Sequence, residues 1–351
     1  MELLEGVTTI DVADRAMGCL IGMSVGDAMG MPTQMQTRST VRERYGYVAG
    51  FLPGPEDNWI SRGEESGRVT DDTEQAFVIA EALVRAHQLD RGTDLMYLST
   101  KVAEELVTWF TDNRKQGEDF LGPSSRRAIE SLQRGVDVRV SGRWGDTNGA
   151  SMRIAPIGIA YRPGPGLLDA VEAVSRPTHN TGLAMSGAAL VATVISSELE
   201  GASLDDAIDQ GLAAAEKIYT RGHYVAGALV TARTRRTMAI ASQVDRQDAR
   251  AVQAAADHIA DEIGTGVQTQ EAVPTAVGFL YLRTGDPWAA ILDATNAGGD
   301  ADTIAAITGA MGGALRGTSG IPTAIREQLD AVNHLPIHDR AAQLLAIRSK
   351  Q

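Results

Sequence analysis

Apolar positions along this chain recur at intervals of three and four, the period of a helix packed on one side. No stretch settles into the two-residue alternation of a half-buried strand. A first helix is predicted from Asp11 to Met29, where Gly18, Gly22 and Gly26, four apart, line one face and admit a second backbone at close range. Residues 31–66 interrupt every period with Pro32, Pro53, Gly54, Pro55, Gly63 and Gly67, and read as a long irregular connection. Helical spacing resumes at Asp71 to Arg85 and at Asp94 to Phe110. Gly122-Pro123-Ser124-Ser125 reads as a turn and cap for a helix through Leu132. Two turn-rich loops, Trp144 to Gly149 and Ser175 to Asn180, precede an apolar segment from Met152 to Ala160 and a long helix from Leu183 to Ser197. Helices are expected across Leu204 to Ile263, from Glu271-Ala272-Val273-Pro274 onward, over Trp288 to Thr295, and from Pro322 to Ile347.

Composition agrees with an all-α protein. Of 351 residues 43% are apolar and only 5% aromatic, with 37 glycines, which favours closely packed helices over a sandwich of large β-formers. One domain spanning 1–351 is expected. The net charge of −13 argues against non-specific binding to a nucleic-acid backbone. It leaves a nucleotide-like ligand open, because a bound divalent cation reverses the local sign. Cys19 is the single cysteine, which rules out an internal disulfide or a cysteine zinc cluster and points to a reducing cytoplasm. Met1-Glu2-Leu3-Leu4-Glu5 lacks the basic start and apolar core of a signal peptide. Thr181 to Ser197 is too short and too weakly apolar for a membrane span, so a buried helix is expected there.

Charge patterning changes the picture at two places. Gly67-Arg68-Val69-Thr70-Asp71-Asp72-Thr73 runs into an apolar helix, and Gly298-Gly299-Asp300-Ala301-Asp302-Thr303 does the same some 230 residues later. Each could be a helix cap, since carboxylates suit the positive end of a helix. Alternatively both serve one site, because adjacent carboxylates beside threonine hydroxyls form an oxygen-only ligand set for hard divalent ions. Four carboxylates exceed what one Mg²⁺ balances but suit two. Asp27, an acid inside the apolar first helix, is expected to face a hydrogen-bonding partner. Arg153 is the only charge between Met152 and Ala160.

The chain resembles the ADP-ribosylglycohydrolase family, which includes dinitrogenase-reductase-activating glycohydrolases and ADP-ribosyl-acceptor hydrolases. The matching motifs run in the family's order from about residue 15 to 318: Gly26-Asp27-Ala28-Met29-Gly30, Thr70-Asp71-Asp72-Thr73, Asn148-Gly149-Ala150-Ser151-Met152-Arg153, Thr178-His179, and Gly298 to Thr303. Phe51-Leu52-Pro53-Gly54-Pro55 also looks like a bacterial branch whose substrate is poorly defined. The resemblance implies a compact, orthogonal multi-helix domain with two Mg²⁺ or Mn²⁺ ions at the base of a cleft. By motif, Thr70, Asp71, Asp72, Asp300, Asp302 and Thr303 would ligate the metals. Asn148, Gly149, Met152, His179, Gly298 and Gly299 would meet ADP-ribose or an ADP-ribosylated substrate, with Asp71 and Asp302 near the scissile bond. Cleaving a ribosyl bond builds positive charge at the anomeric carbon, which carboxylates stabilise.

One position departs from the pattern. Where the family commonly carries a glutamate that touches a metal or the attacking water, the run Met31-Pro32-Thr33-Gln34 places Gln34. A glutamine orients water through its amide but takes no proton as a base. An engineered Glu→Gln exchange would read the same way. Three activities stay open: removal of ADP-ribose, hydrolysis of a nucleoside or phosphoribosyl compound on the same scaffold, and ADP-ribose binding without turnover. Asp119 falls out of register with a further family acid, and no role transfers to it.

Overall fold

The computed structural model of the chain describes residues 10–116 and 121–351, so the readings of Met1 to Glu5 and of Asp119 lie outside the described residues. In chain order the helices of the first half are α1 (Val12–Gly30), α2 (Arg38–Tyr45), α3 (Asp71–Gln88), α4 (Leu95–Gln116), α5 (Pro123–Gln133), α6 (Val138–Ser141), α7 (Gly149–Met152), α8 (Ala155–Ala160) and α9 (Pro165–Ser175). Those of the second half are α10 (Gly182–Leu199), α11 (Leu204–Ile218), α12 (Val230–Ala241), α13 (Ala249–Ile263), α14 (Thr269–Leu282), α15 (Pro287–Ala297), α16 (Ala301–Arg316), α17 (Thr323–Asn333) and α18 (Ile337–Arg348). Among the described residues, β-pairing is limited to isolated bridges such as Gln36 with Gly299. The protein is all-α.

The glycine period of α1 has a physical partner. Gly18 lies against Gly313, Gly22 against Gly309, and Gly26 against Ala305, so α1 and α16 run antiparallel with their backbones in contact. A Cβ built on Gly22 would stand 2.1 Å from the Gly309 carbonyl oxygen, a separation no side chain tolerates. The ladder ends where Gly30 meets the backbone of Asp302, which brings the end of α1 to the start of α16. One continuous set of buried apolar side chains extends from Ala16 of α1 to Ile347 of α18. α10 is long and apolar enough to span a membrane, yet every residue of it is buried.

Residues 31–66 are less irregular than their composition implies. α2 forms within them, capped by Thr37, whose hydroxyl accepts from Thr40 N at 3.1 Å. Only Val41 of α2 is buried, so no apolar period announces it. Its outer face is held instead by Arg42, which donates to both Asp257 oxygens, and by an Arg38–Asp261 ion pair. α14 begins at Thr269, two residues before the expected Glu271, and carries Pro274 inside it.

Candidate active site

The starts of α3 and α16 face one cleft of about 650 Å³, counting the part open to solvent. Thr70 and Asp300 occupy the N-cap positions of the two helices, yet neither side chain caps its own helix. For α3 the cap comes from elsewhere. Asp27 of α1 accepts hydrogen bonds from Thr70 N at 2.9 Å, Thr73 N at 3.1 Å, Thr70 Oγ1 at 2.7 Å and Thr73 Oγ1 at 2.6 Å. Capping in trans leaves Asp71 and Asp72 free to face the cleft, so the simple capping explanation of this motif does not hold.

Asp71, Asp72, Asp300, Asp302 and Thr303 all line the cleft. None of the four aspartates is more than 7% exposed. Asp71 Oδ2 accepts from Gln75 Nε2 at 2.9 Å, Asp72 Oδ2 from Thr303 Oγ1 at 3.3 Å, and Asp300 Oδ2 from Asn148 Nδ2 at 2.5 Å. Burial pushes Asp71, Asp72 and Asp302 well above the usual carboxylate range, and neighbouring aspartates push them further. Burial lifts Asp300 to about 6 against the hydrogen bonds of Asn148 and Thr303.

Buried anions on this scale call for a counter-charge or for protons. Asp72 Oδ1 is buried without a hydrogen-bond partner, and the cleft lining offers carboxylate and hydroxyl oxygens with no histidine or cysteine among its residues. This chemistry fits a hard divalent cation. Among the described residues no three acidic, histidine or cysteine side chains form a ready-made ligand group, so the fit rests on charge and donor type.

The remaining sequence-derived site residues divide into two sets. Gln34, Asn148, Gly149 and Met152 line the cleft. Gln34 Nε2 is buried without a partner. Thr70 is outside the cleft lining and donates its hydroxyl hydrogen to Asp27, which leaves the oxygen able to act as a ligand. Gly298 and Gly299 stand outside the cleft lining and act through their backbones. Both have φ of +72°, and Gly299 exchanges hydrogen bonds with Met35 N and Gln36 O at 2.6 and 2.8 Å. They set the turn that delivers Asp300.

His179 is also outside the cleft lining. It is fully buried between Thr147 and Thr178 and packs so close to Gly149 that a Cβ there would be 2.7 Å from its Cε1. Burial holds its ring well below the usual imidazole range, with Arg153 and Arg127 adding to the effect, so it is neutral.

Gln75, Arg153, Asn58 and Trp59 join the site without having been predicted for it from the sequence. Gln75 joins Asp71 to the buried Arg153. Asn58 donates to the Gln34 carbonyl at 2.8 Å and accepts from Ile60 N at 2.9 Å, which fixes Trp59 at the cleft mouth. Trp59 is 77% exposed. The sequence signal for Arg153 was its isolation in an apolar run; Gln75 and Asn58 carried none.

Two buried helix starts that present four aspartates to one cleft define an all-α protein with an acidic cleft. The profile of the ADP-ribosylglycohydrolase family matches residues 8–351, and the chain belongs to that family. It is 32% identical over 341 residues to the uncharacterised protein YegU of Escherichia coli K12, covering 96% of this chain and 98% of that one. It is 24% identical to the ADP-ribosyl-[dinitrogen reductase] glycohydrolase of Rhodospirillum rubrum, over 97% and 99% of the two chains. A solved structure titled ADP-ribosylglycohydrolase-related protein complex shares the fold, with a TM-score of 0.64 at 22% identity over 97% of this chain and 99% of that one.

Proposed function

We propose that this chain is a metal-dependent hydrolase that removes ADP-ribose, or a related ribosyl group, from a protein side chain or a small molecule. The observation that carries the reading is the capping of α3 by Asp27, which leaves Asp71 and Asp72 facing the same cleft as Asp300 and Asp302. Thr70, Asp71, Asp72, Asp300, Asp302 and Thr303 would hold two Mg²⁺ or Mn²⁺ ions. Such ions polarise water and bind the ribose diol. Asn148, oriented by its bond to Asp300, would meet the ribose, with the Gly149 backbone and Met152 beside it. Asp71 and Asp302 would face the positive charge that builds at the anomeric carbon as the bond to nitrogen or oxygen breaks. Gln34 would orient the attacking water through its amide, leaving the water's proton to a carboxylate oxygen of Asp71 or Asp302. The single, buried Cys19 is in keeping with a reducing cytoplasm.

A second reading has one observation in its favour. The buried Gln34 Nε2 without a partner stands where a base would be needed, which suits an ADP-ribose binder without turnover. The test is ADP-ribose release from ADP-ribosylated arginine, ADP-ribosylated serine and a small ADP-ribosyl compound, with Mg²⁺ or Mn²⁺. We expect release by the wild type that EDTA abolishes, and a rate about 10²-fold higher in Gln34→Glu, the scale of a positioned general base. No release by either protein from any substrate would overturn the hydrolase. Tight calorimetric binding of ADP-ribose in that case would establish the binder.

A further inference from the structure

The wall behind the carboxylates holds a continuous chain of hydrogen bonds whose direction can be worked out. At its centre is Arg153, 1% exposed and with no carboxylate in hydrogen-bond contact. Nη1 of Arg153 donates to Gln75 Oε1, and Nη2 donates to Thr178 Oγ1. A guanidinium only donates. Gln75 must therefore turn its carbonyl to Arg153 and its NH₂ to Asp71 Oδ2, 2.9 Å away. On the other side Thr178 accepts from Arg153, and its own hydrogen needs an acceptor because the residue is wholly buried. That acceptor is His179 Nδ1 at 2.9 Å. The neutral ring then carries its proton on Nε2, which donates to Thr147 Oγ1 at 3.0 Å. Thr147 precedes Asn148, whose amide donates to Asp300.

We infer that Arg153 and His179 are positioning residues: a one-way relay outward from Arg153 aims Gln75 at Asp71 and, through Thr178 and His179, braces the Thr147–Asn148 loop against Asp300. The relay ties both acidic arms of the cleft to one donor that cannot reverse. Its effect on catalysis rests on the proposed reaction at that cleft, whereas its direction does not. Neither residue lines the cleft.

The experiment is a two-bond ¹H–¹⁵N correlation spectrum of protein labelled with ¹⁵N-histidine, with His179→Asn used to assign one signal set among the six histidines. We expect the neutral Nε2–H tautomer for His179. Arg153→Gln introduces a side chain that can accept, so His179 shifts toward a mixture of tautomers. In the same variant kcat for ADP-ribosyl-arginine falls about 10–100-fold, the usual cost of losing an outer support, while KM changes little. Arg153→Lys restores a donor-only side chain and recovers the His179 pattern and most of kcat. Thr178→Val, which deletes only the hydroxyl, alters the His179 pattern in the same way and serves if Arg153→Gln does not fold. An Nδ1–H or cationic His179 in the wild type overturns the relay, as does an unchanged His179 pattern in the folded variants. The tautomer needs no turnover to be read, so an inactive wild type would count against the proposed function while the spectra still judge the relay.

Discussion

At the start of α3, two backbone amides and two hydroxyls from Thr70 and Thr73 converge on one carboxylate, Asp27. Burial raises its pKa while these donors pull the other way. Asp27→Ala strands buried donors and should cost about 2–3 kcal/mol in urea unfolding, with activity lost because Asp71 and Asp72 lose their orientation. A sequence reading could see that Asp27 needed a partner, because an acid inside an apolar helix is rarely idle. It could not see that the partner would be another helix start 43 residues away, since hydrogen bonds across a fold leave no periodic trace. For His179 the motif pointed to a ligand and gave no sign of its surroundings, a ring packed on the backbone of Gly149 with both nitrogens bonded to threonines.

Glu198 is a buried acid outside the cleft. Neither carboxylate oxygen has a hydrogen-bond partner, and burial raises its pKa well above the usual value against the pull of Arg15 and Arg316. Its position just past the uncharged run from Thr181 to Ser197 concealed it in the sequence. The sign follows from linkage. Above a pH of about 4.3 the unfolded chain ionises this group while the folded chain keeps it protonated, so stability falls as pH rises toward the folded pKa. Glu198→Gln removes that loss. Its stability advantage over the wild type should be small near pH 4 and widen as pH rises toward the folded pKa. Urea midpoints of the two proteins at pH 4.5, 6 and 7.5 check this; parallel profiles would contradict it.

Among the elements, the pairing of α1 with α16 decides where the site can be. Gly22→Ala places a methyl 2.1 Å from the Gly309 carbonyl oxygen and should cost about 3 kcal/mol or more, read as a large drop in Tm or loss of soluble protein. Gly166→Ala in α9 meets nothing within 4 Å and should be neutral or stabilising by up to about 1 kcal/mol. The close helix contact was legible because four-residue spacing of glycine has few other uses in a helix. Its partner helix was not, as Gly309 and Gly313 sit in an apolar run with many small residues. α2 was illegible for a different reason: a helix that buries one residue and is held by ion pairs to α13 has no hydrophobic period to read.

For the whole molecule, the fold gathers negative charge in an already acidic chain. Net charge is −13, and four aspartates from segments more than 200 residues apart are buried in one cleft. Both acidic motifs could be seen in the sequence, and their order among the other motifs pointed to the family. Their meeting in one cleft required the structure. So did the capping geometry that frees Asp71 and Asp72. A cluster of this kind should make the protein respond to divalent cations as a whole: Mn²⁺ should raise Tm, and chelation should lower it.

Binding of Mn²⁺, followed by calorimetry with and without ADP-ribose, tests the central claim most directly. We expect two Mn²⁺ per chain, tighter binding of each ligand in the presence of the other, and loss of both effects in Asp72→Asn and Asp302→Asn. ADP-ribose binding of equal strength in EDTA and in Mn²⁺, with no metal uptake by the wild type, would contradict it.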